Sequence, residues 1–333
     1  MQAAKLSLQL NKQVSVLLML PIVVMLLAAE ATAGGDSPMF YKVARTSAPP
    51  VIDGEFSDSC WSGAEWAGDF KQVVTGKDSP EEQTRFAAVY NDECVYFAVE
   101  CRDSQARKII MKQRSHDGAV WEDDDVEIFF DINLDRTSYR HFAVNPAGSA
   151  YDSSSMEGPA WNPEWRRKAS VTDNGWSVEI AVPFGSLGLS TPVEGEAWGV
   201  NICRTRRSGR FEYSIWSPTL GGFHDPQHFG SFIFGSYKAW VLNNFLPCWN
   251  KITGEMPGIL SSAYLSAGMK KELAAGQAEI AESIAGSLPA LDRKGDLAGL
   301  EFADFYLAPE RCRKLEDKIC DAQINDLLQK GIR

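Results

Sequence analysis

The sequence predicts a mainly β protein in which an antiparallel β-sandwich is followed by a smaller α-helical region. Over residues 51–234, apolar side chains alternate with a period of two in short runs separated by Gly, Pro, Asn and Asp. After Trp240 the composition turns to Ala, Leu, Glu and Lys, with apolar residues at helical spacing. The chain has 333 residues, 44% hydrophobic and 23% charged, which is the composition of a globular protein long enough for two cores.

The N-terminus has the features of a secretory signal peptide. Lys5 and Lys12 precede an apolar run over residues 14–29, and Ala31 and Ala33 occupy the small-residue positions that signal peptidase requires. We therefore expect cleavage near Ala33, removal of residues 1–33, and a secreted or periplasmic protein. The alternative is an uncleaved membrane anchor, but the run is short for a span of about 20 residues.

The predicted sandwich occupies residues 44–236, after a linker over residues 34–43. Turn sequences such as Asn91-Asp92 and Asp173-Asn174-Gly175 separate the runs. The clear strands are predicted over residues 85–90, 95–101, 126–132, 138–145, 176–182, 197–203, 211–216 and 230–234.

The helical region is predicted over residues 237–333. One apolar helical face is formed by Leu265, Met269, Leu273, Ile280 and Ile284. A second helix over residues 309–330 carries Leu315, Ile319, Leu327 and Leu328. A helical hairpin of this size has a small hydrophobic core for independent folding, so we expect it to dock on the sandwich, bind another protein or self-associate.

The net charge excludes one class of partner. There are 44 acidic against 33 basic residues, a net charge of −11, which opposes the basic surface that nucleic acid phosphates need. We expect neither nucleic acid nor integral membrane association.

The seven Cys leave the disulfide pairing open. Because their number is odd, at least one thiol stays unpaired, and the irregular spacing favours small buried apolar residues for most of them.

The segment over residues 121–133 carries the densest candidate chemistry. Within its strand, period two directs Val126, Ile128 and Phe130 to the core and leaves Glu127, Phe129 and Asp131 on the other face. Aromatic rings beside carboxylates suit a sugar, whose C–H faces stack and whose hydroxyls form hydrogen bonds, and Trp121 could add a stacking plane. The alternative is an aromatic packed under a loop with its carboxylates in water.

Oxygen ligands in the same segment suggest a hard cation. Asp123, Asp131, Asn133 and Asp135 could hold a structural calcium, although a solvated acidic turn is the alternative. An EF-hand is excluded because Arg136 replaces its Gly. No other cofactor is required.

The remaining motifs argue against other chemistry. Pro226 breaks any helix that would align His224 with His228 for zinc. Glu127 with Asp131 could form a glycosidase pair, but such neighbours are expected by chance in an acidic chain.

Several of these motifs together resemble the family 9 carbohydrate-binding modules, over residues 44–234. The matching residues are Val51-Ile52-Asp53-Gly54-Glu55, Asp58, Trp61, Trp121-Glu122, Asp124, Val126 to Phe129, Asp131, Phe142, Val144-Asn145, Asp225-Pro226 and Phe229-Gly230.

The resemblance implies a jelly-roll-like sandwich that clamps a sugar between two aromatic rings. Carried over by position, Trp121 is the first ring and Phe223 stands where a second Trp is expected. Glu127 and Asn145 match positions that hydrogen-bond sugar hydroxyls, whereas Ala143 replaces an Arg. It also implies the possibility of structural calcium.

These observations favour an exported, non-catalytic carbohydrate-binding protein with a role in polysaccharide binding or carbohydrate catabolism. Three alternatives remain open. One is a glycoside hydrolase, and another is a scaffold without a ligand. The third is a haem-binding sandwich that uses Met111, Met156 or His141.

Overall fold

The computed structural model describes residues 39–73, 75–76 and 78–329. The predicted signal peptide lies outside these residues. The chain divides into two compact units, one ending at Gly235 and the other beginning at Ser236.

The first unit is built from thirteen strands, and the fold class predicted from the sequence is confirmed. The strands are β1 Phe40–Arg45, β2 Trp66–Ala67, β3 Lys71–Gln72, β4 Thr84–Tyr90, β5 Cys94–Arg102, β6 Asp125–Asp131, β7 Arg140–Val144, β8 Ala150–Ser154, β9 Arg166–Thr172, β10 Gly175–Pro183, β11 Ala197–Arg206, β12 Glu212–Ile215 and β13 Gly230–Phe234. A short helix, α1 (Ser59–Gly63), precedes β2.

The strands form two layers joined through β1. The front sheet has the order β8-β7-β6-β11-β13-β1, with β12 beside β11, and the back sheet has the order β1-β4-β5-β10-β9. The first part of β1 pairs with β13 and its last two residues pair with β4, and both pairings are parallel. The sandwich is therefore mixed rather than purely antiparallel.

Strand β1 also corrects the predicted start of the sandwich. It begins at Phe40, inside the segment 34–43 that the sequence predicted as a linker. Tyr41 and Val43 are buried in the core, but two alternating apolar residues were too few to signal a strand.

The main core lies between the two sheets. Val126, Ile128 and Phe130 of β6 point into it, as the period of two predicted. Phe130 meets Phe97 of the back sheet with ring centroids 5.7 Å apart. The front sheet therefore turns the alternate side chains of β6 outward, on what we call the front face.

A buried carboxylate fixes the segment that precedes α1 to the back sheet. Glu179 on β10 is fully buried, and its Oε1 accepts a hydrogen bond of 2.7 Å from Trp61 Nε1. Its Oε2 accepts the backbone N–H groups of Asp53 and Gly54 at 3.0 Å. Burial raises the pKa of Glu179, against the effect of these donors. The Asp53-Gly54 and Trp61 motifs thus serve the fold.

The second unit is helical. Its helices are α2 Tyr237–Trp240, a π-helical turn Val241–Phe245, α3 Leu246–Ser261, α4 Ala267–Ile284, α5 Gly299–Tyr306 and α6 Ala308–Gln329. The two predicted helices correspond to α4 and α6, and both α3 and α4 pack on α6. Over the described residues, no helix has the length and apolar character needed to cross a membrane.

Apolar side chains also remain exposed on the helical unit, such as Leu300, Ile324 and Leu328. Binding of another protein or self-association through this unit stays a prediction. All seven Cys are free thiols, four of them buried.

Candidate functional site

The front face centres on β6. Glu127, Phe129 and Asp131 point away from the core, as predicted. The neighbouring strands place Ala143 of β7 and Cys203 of β11 on either side of Glu127. The middle of this face is therefore formed by one carboxylate between two small side chains.

Phe129 is a packing residue rather than an open stacking surface. Its side chain is fully buried. The His141 ring stacks on it at a centroid distance of 4.3 Å and an angle of 3°, and His224 meets it edge-on at 5.1 Å. Phe229 covers it further at 5.7 Å. Phe129 thus lies under the segment over residues 223–229, as in the alternative that the sequence left open, but Glu127 and Asp131 are buried rather than in water.

Trp121 is an accessible ring beside this face. It lies in the 3-10 turn Val120–Glu122, is 43% exposed, and meets Tyr151 edge-on at 5.1 Å. Tyr151 is the cross-strand partner of Ala143. The role of Trp121 as a stacking ring for a sugar stays a prediction.

Phe223 lies on the β12 side of the front face, opposite Trp121, and is only 8% exposed. Tyr213 of β12 meets it edge-on at 5.5 Å. The accessible rings here are Tyr213 and Phe211, which are 40% and 49% exposed and which the sequence analysis did not select. The aromatic alternation of residues 211 and 213 was the signal that could have identified them.

Arg207 connects the two aromatic sides. One of its guanidinium nitrogens donates a hydrogen bond of 2.7 Å to the Trp121 carbonyl oxygen. The same guanidinium lies over the Phe211 ring, 4.6 Å from its centroid. Trp121 and Phe211 are therefore held near each other at one end of the front face.

Asn145 is placed differently from what the resemblance implied. Its side chain is fully buried. Nδ2 donates to the Gln113 carbonyl and to Asp123 Oδ2, while Oδ1 accepts from the backbone N–H groups of Ala147 and Ser149. Asn145 thus organises the turn after β7, and its contact with a sugar stays a prediction.

Asp125 is a buried acid next to Glu127. Burial, and then the negative charge of Glu127, raise the pKa of Asp125 well above its ordinary value. Oδ1 accepts the Thr205 N–H at 3.2 Å, and Oδ2 has no hydrogen-bond partner among the described residues.

Two imidazoles converge on Glu127. His141 Nε2 lies 2.6 Å from Glu127 Oε2, although the approach lacks hydrogen-bond alignment. His224 offers a third ligand atom, and the three atoms all lie within 4.8 Å of one another. The His224 ring is exposed to solvent along one side but packed against Phe129, and burial, followed by the charge of His141, lowers its pKa.

The residues predicted for calcium do not form one group. Asp135 accepts hydrogen bonds from Ser138 and Asn133, and Asp131 accepts the backbone N–H groups of Asp135 and Arg136. Asp131 ends β6, whereas Asp123 precedes its first residue, and the strand between them is about 20 Å long. The turn over residues 131–138 is closed by its own hydrogen bonds, and calcium there stays a prediction.

The structure bears on two of the alternative functions, the glycoside hydrolase and the haem-binding protein. Glu127 and Asp131 are four strand residues apart, about 13 Å, whereas glycosidase carboxyl groups are roughly 5–9.5 Å apart. Of the residues considered for haem, Met156 is 79% exposed and His141 is buried beside Glu127.

Curated relatives match about two thirds of the chain. They include "Exoglucanase XynX" of Acetivibrio thermocellus, 26% identical over 66% of this chain and 20% of its own length. "Endo-1,4-beta-xylanase A" of Thermoanaerobacterium saccharolyticum is 25% identical over 66% of this chain and 18% of its own length. The chain thus spans about a fifth of the length of these relatives.

Among solved structures, a family 9 carbohydrate-binding module from Caldicellulosiruptor kristjanssonii in complex with cellotriose is 21% identical, with a TM-score of 0.44 over 59% of this chain and 93% of that one. A family 9 carbohydrate-binding module from the same organism in complex with glucose is 20% identical, with a TM-score of 0.45 over 59% of this chain and 95% of that one.

The family model described as "Carbohydrate family 9 binding domain-like" matches residues 52–235, which is more than half of the chain and ends where the β unit ends. The chain therefore belongs to the carbohydrate family 9 binding domain-like family.

Proposed function

We propose that the protein binds a saccharide on the front face, with Trp121 as the principal stacking ring. The observation that carries this proposal is the exposure of Trp121 next to a face centred on Glu127, in a chain of this family. A pyranose ring presents apolar C–H faces and polar hydroxyl edges, so it needs a ring plane and nearby oxygen acceptors together.

Tyr213 and Phe211 are our candidates for the second side of the clamp. Phe223, the ring that matched by position, supports Tyr213 from beneath. Arg207 connects the Trp121 main-chain carbonyl to the Phe211 ring, so the two segments that carry these rings are linked at this end of the face.

The role that we propose is non-catalytic attachment to polysaccharide outside the cytoplasm, in carbohydrate catabolism. Support comes from the relatives, whose names describe xylanases and an exoglucanase, and from the signal-peptide pattern of residues 1–33. Xylan and cellulose fragments are therefore the first ligands to test.

The experiment is titration calorimetry of the purified full chain with xylo- and cello-oligosaccharides, with and without calcium. We expect saturable binding that is lost in Glu127→Gln. Glu100→Gln is the matched control, because Glu100 lies on the back sheet and pairs with Arg85. An absence of heat over the whole panel, or equal binding by Glu127→Gln and wild type, would refute the proposal. A calcium requirement would point to the turn over residues 131–138.

A further inference from the structure

The front face also carries a cluster of three metal-ligating side chains, one of which is the Glu127 of the proposed saccharide site. Glu127, His141 and His224 come from β6, from β7 and from the segment after β12, so 97 residues separate the first from the last. Each offers one ligand atom, and all three atoms lie within 4.8 Å of one another. We propose that Glu127, His141 and His224 form a binding site for a first-row transition-metal cation such as Zn²⁺.

The spacing suits three ligands on one ion. Zinc bonds of about 2.1 Å to nitrogen and oxygen at tetrahedral angles place neighbouring ligand atoms roughly 3.4 Å apart. The distance from His141 Nε2 to Glu127 Oε2 is 2.6 Å, and the widest separation in the cluster is below 4.8 Å. Small side-chain rotations therefore bring all three atoms onto one centre.

The buried members of the cluster have unused bonding capacity. His141 is 3% exposed, and its Nε2 faces Glu127 without an aligned hydrogen bond from any residue the structure describes. A cation bonded to both the nitrogen and the carboxylate oxygen would satisfy both, once the two atoms separate to roughly 3.4 Å. Glu127 is 5% exposed, so water gives its carboxylate little compensation.

In both histidines a hydroxyl group lies near the Nδ1 ring nitrogen. His224 Nδ1 lies 2.9 Å from the Tyr139 hydroxyl, and His141 Nδ1 lies 3.5 Å from Ser153 Oγ. When Nδ1–H donates to such an oxygen, the lone pair lies on Nε2, which is the arrangement that metal-binding histidines use.

The scaffold holds the two rings in place. Phe129 stacks on His141 and packs nearly perpendicular to His224. The segment that carries His224 is pinned by Asp225, whose Oδ2 accepts from the Leu220 N–H at 3.1 Å and lies 2.8 Å from His228 Nδ1. A preorganised pair of imidazoles lowers the cost of capturing an ion.

The ligand set selects the type of cation. Two imidazole nitrogens and one carboxylate suit zinc, cobalt or a related ion, whereas calcium and magnesium prefer oxygen ligands throughout. Three protein ligands leave a fourth position open, which a water molecule can occupy.

The test is a zinc titration of the metal-stripped, tag-free full chain by competition with a fluorescent chelator, without saccharide. We expect one Zn²⁺ per chain and at least about 100-fold weaker binding by His224→Ala, since loss of a supporting partner alone costs 10–100-fold. Tyr139→Phe should weaken binding about tenfold by removing the hydroxyl at Nδ1. Co²⁺ should give visible absorption bands that His224→Ala loses, and calcium should not compete.

His116→Ala is the matched control, because His116, Asp117 and Asp152 form the other cluster of metal-ligating groups among the described residues. It should bind zinc like the wild type. Thermal unfolding of each variant verifies that it is folded. No zinc binding up to millimolar concentration, wild-type affinity in His224→Ala, or loss of binding in His116→Ala would each overturn the proposal. Because no sugar is present, these outcomes are independent of the saccharide titration.

Discussion

The accessible ring of Trp121 gives the most informative single substitution. Trp121→Ala removes a side chain that is 43% exposed and that contacts Tyr151 edge-on. Truncating a fully buried Trp costs about 3–5 kcal/mol, so scaling by the buried fraction gives a loss of about 2 kcal/mol in the free energy of unfolding. Domains have about 5–15 kcal/mol of stability, so the variant stays folded. If the ring stacks on sugar as an interface hot spot, affinity falls by about 2 kcal/mol or more, roughly 30-fold.

The assay combines titration calorimetry with thermal unfolding of the same preparations. Trp66→Ala is the matched control, because Trp66 is a half-buried Trp on the outer side of the back sheet with the Arg85 guanidinium 4.6 Å from its ring centroid. We expect it to lose comparable stability and to keep saccharide affinity. The reasoning would be refuted if folded Trp121→Ala bound saccharide like the wild type, or if Trp66→Ala lost binding to the same extent.

Three further substitutions test the account. Tyr213→Ala should weaken saccharide binding by about 1–2 kcal/mol in the same calorimetric assay, since Tyr offers a smaller stacking face than Trp, and unchanged affinity would remove it from the site. Asp103→Asn should cost about 3–5 kcal/mol in chemical denaturation, because buried Arg204 loses its carboxylate partner and buried Arg206 loses one of three. Burial opposes ionisation of Asp103, but the hydrogen bonds from Arg206, Ser208 and the Gln105 N–H together outweigh burial and lower the pKa of Asp103. The stabilising effect of Asp103 should be complete above about pH 4 and lost at lower pH, and an equal acid-induced loss in the Asn variant would contradict this. Gly175→Ala should destabilise by more than about 1 kcal/mol, because φ is +134° and the new Cβ would lie 2.1 Å from the Cys101 carbonyl oxygen, and an unchanged melting temperature would disprove that reason.

The regular parts of the fold could be predicted from the sequence because each is determined by local alternation. The strand of residues 230–234 was predicted with the bounds it has in the structure, and β6 was displaced by one residue at each end. Strand β9 was missed because its residues, 166–172, are mostly charged or small and lie at the edge of the back sheet. Helix α3 was missed because Pro257 lies within it.

The site was less predictable because it depends on residues that are distant in the chain. The period of two predicted on which face of the sheet Glu127 lies. The proximity of His141 to His224 depends instead on how the segment after β12 covers Phe129. The only histidine pair that sequence spacing suggested was His224 with His228, and His228 contacts Asp225 instead. The internal hydrogen bonds of Asn145 could likewise not be read from its position.

The central claim, that saccharide binds on the front face, is tested most directly by mapping the ligand onto the ten tryptophans of the chain. In nitrogen-15 NMR of the full chain, each indole N–H gives its own signal, and Trp121→Phe and Trp66→Phe assign the two that matter. The account predicts that a bound oligosaccharide shifts the Trp121 signal and leaves the Trp66 signal unchanged. A shift of Trp66 with an unmoved Trp121 would place the ligand on the other sheet and contradict the account.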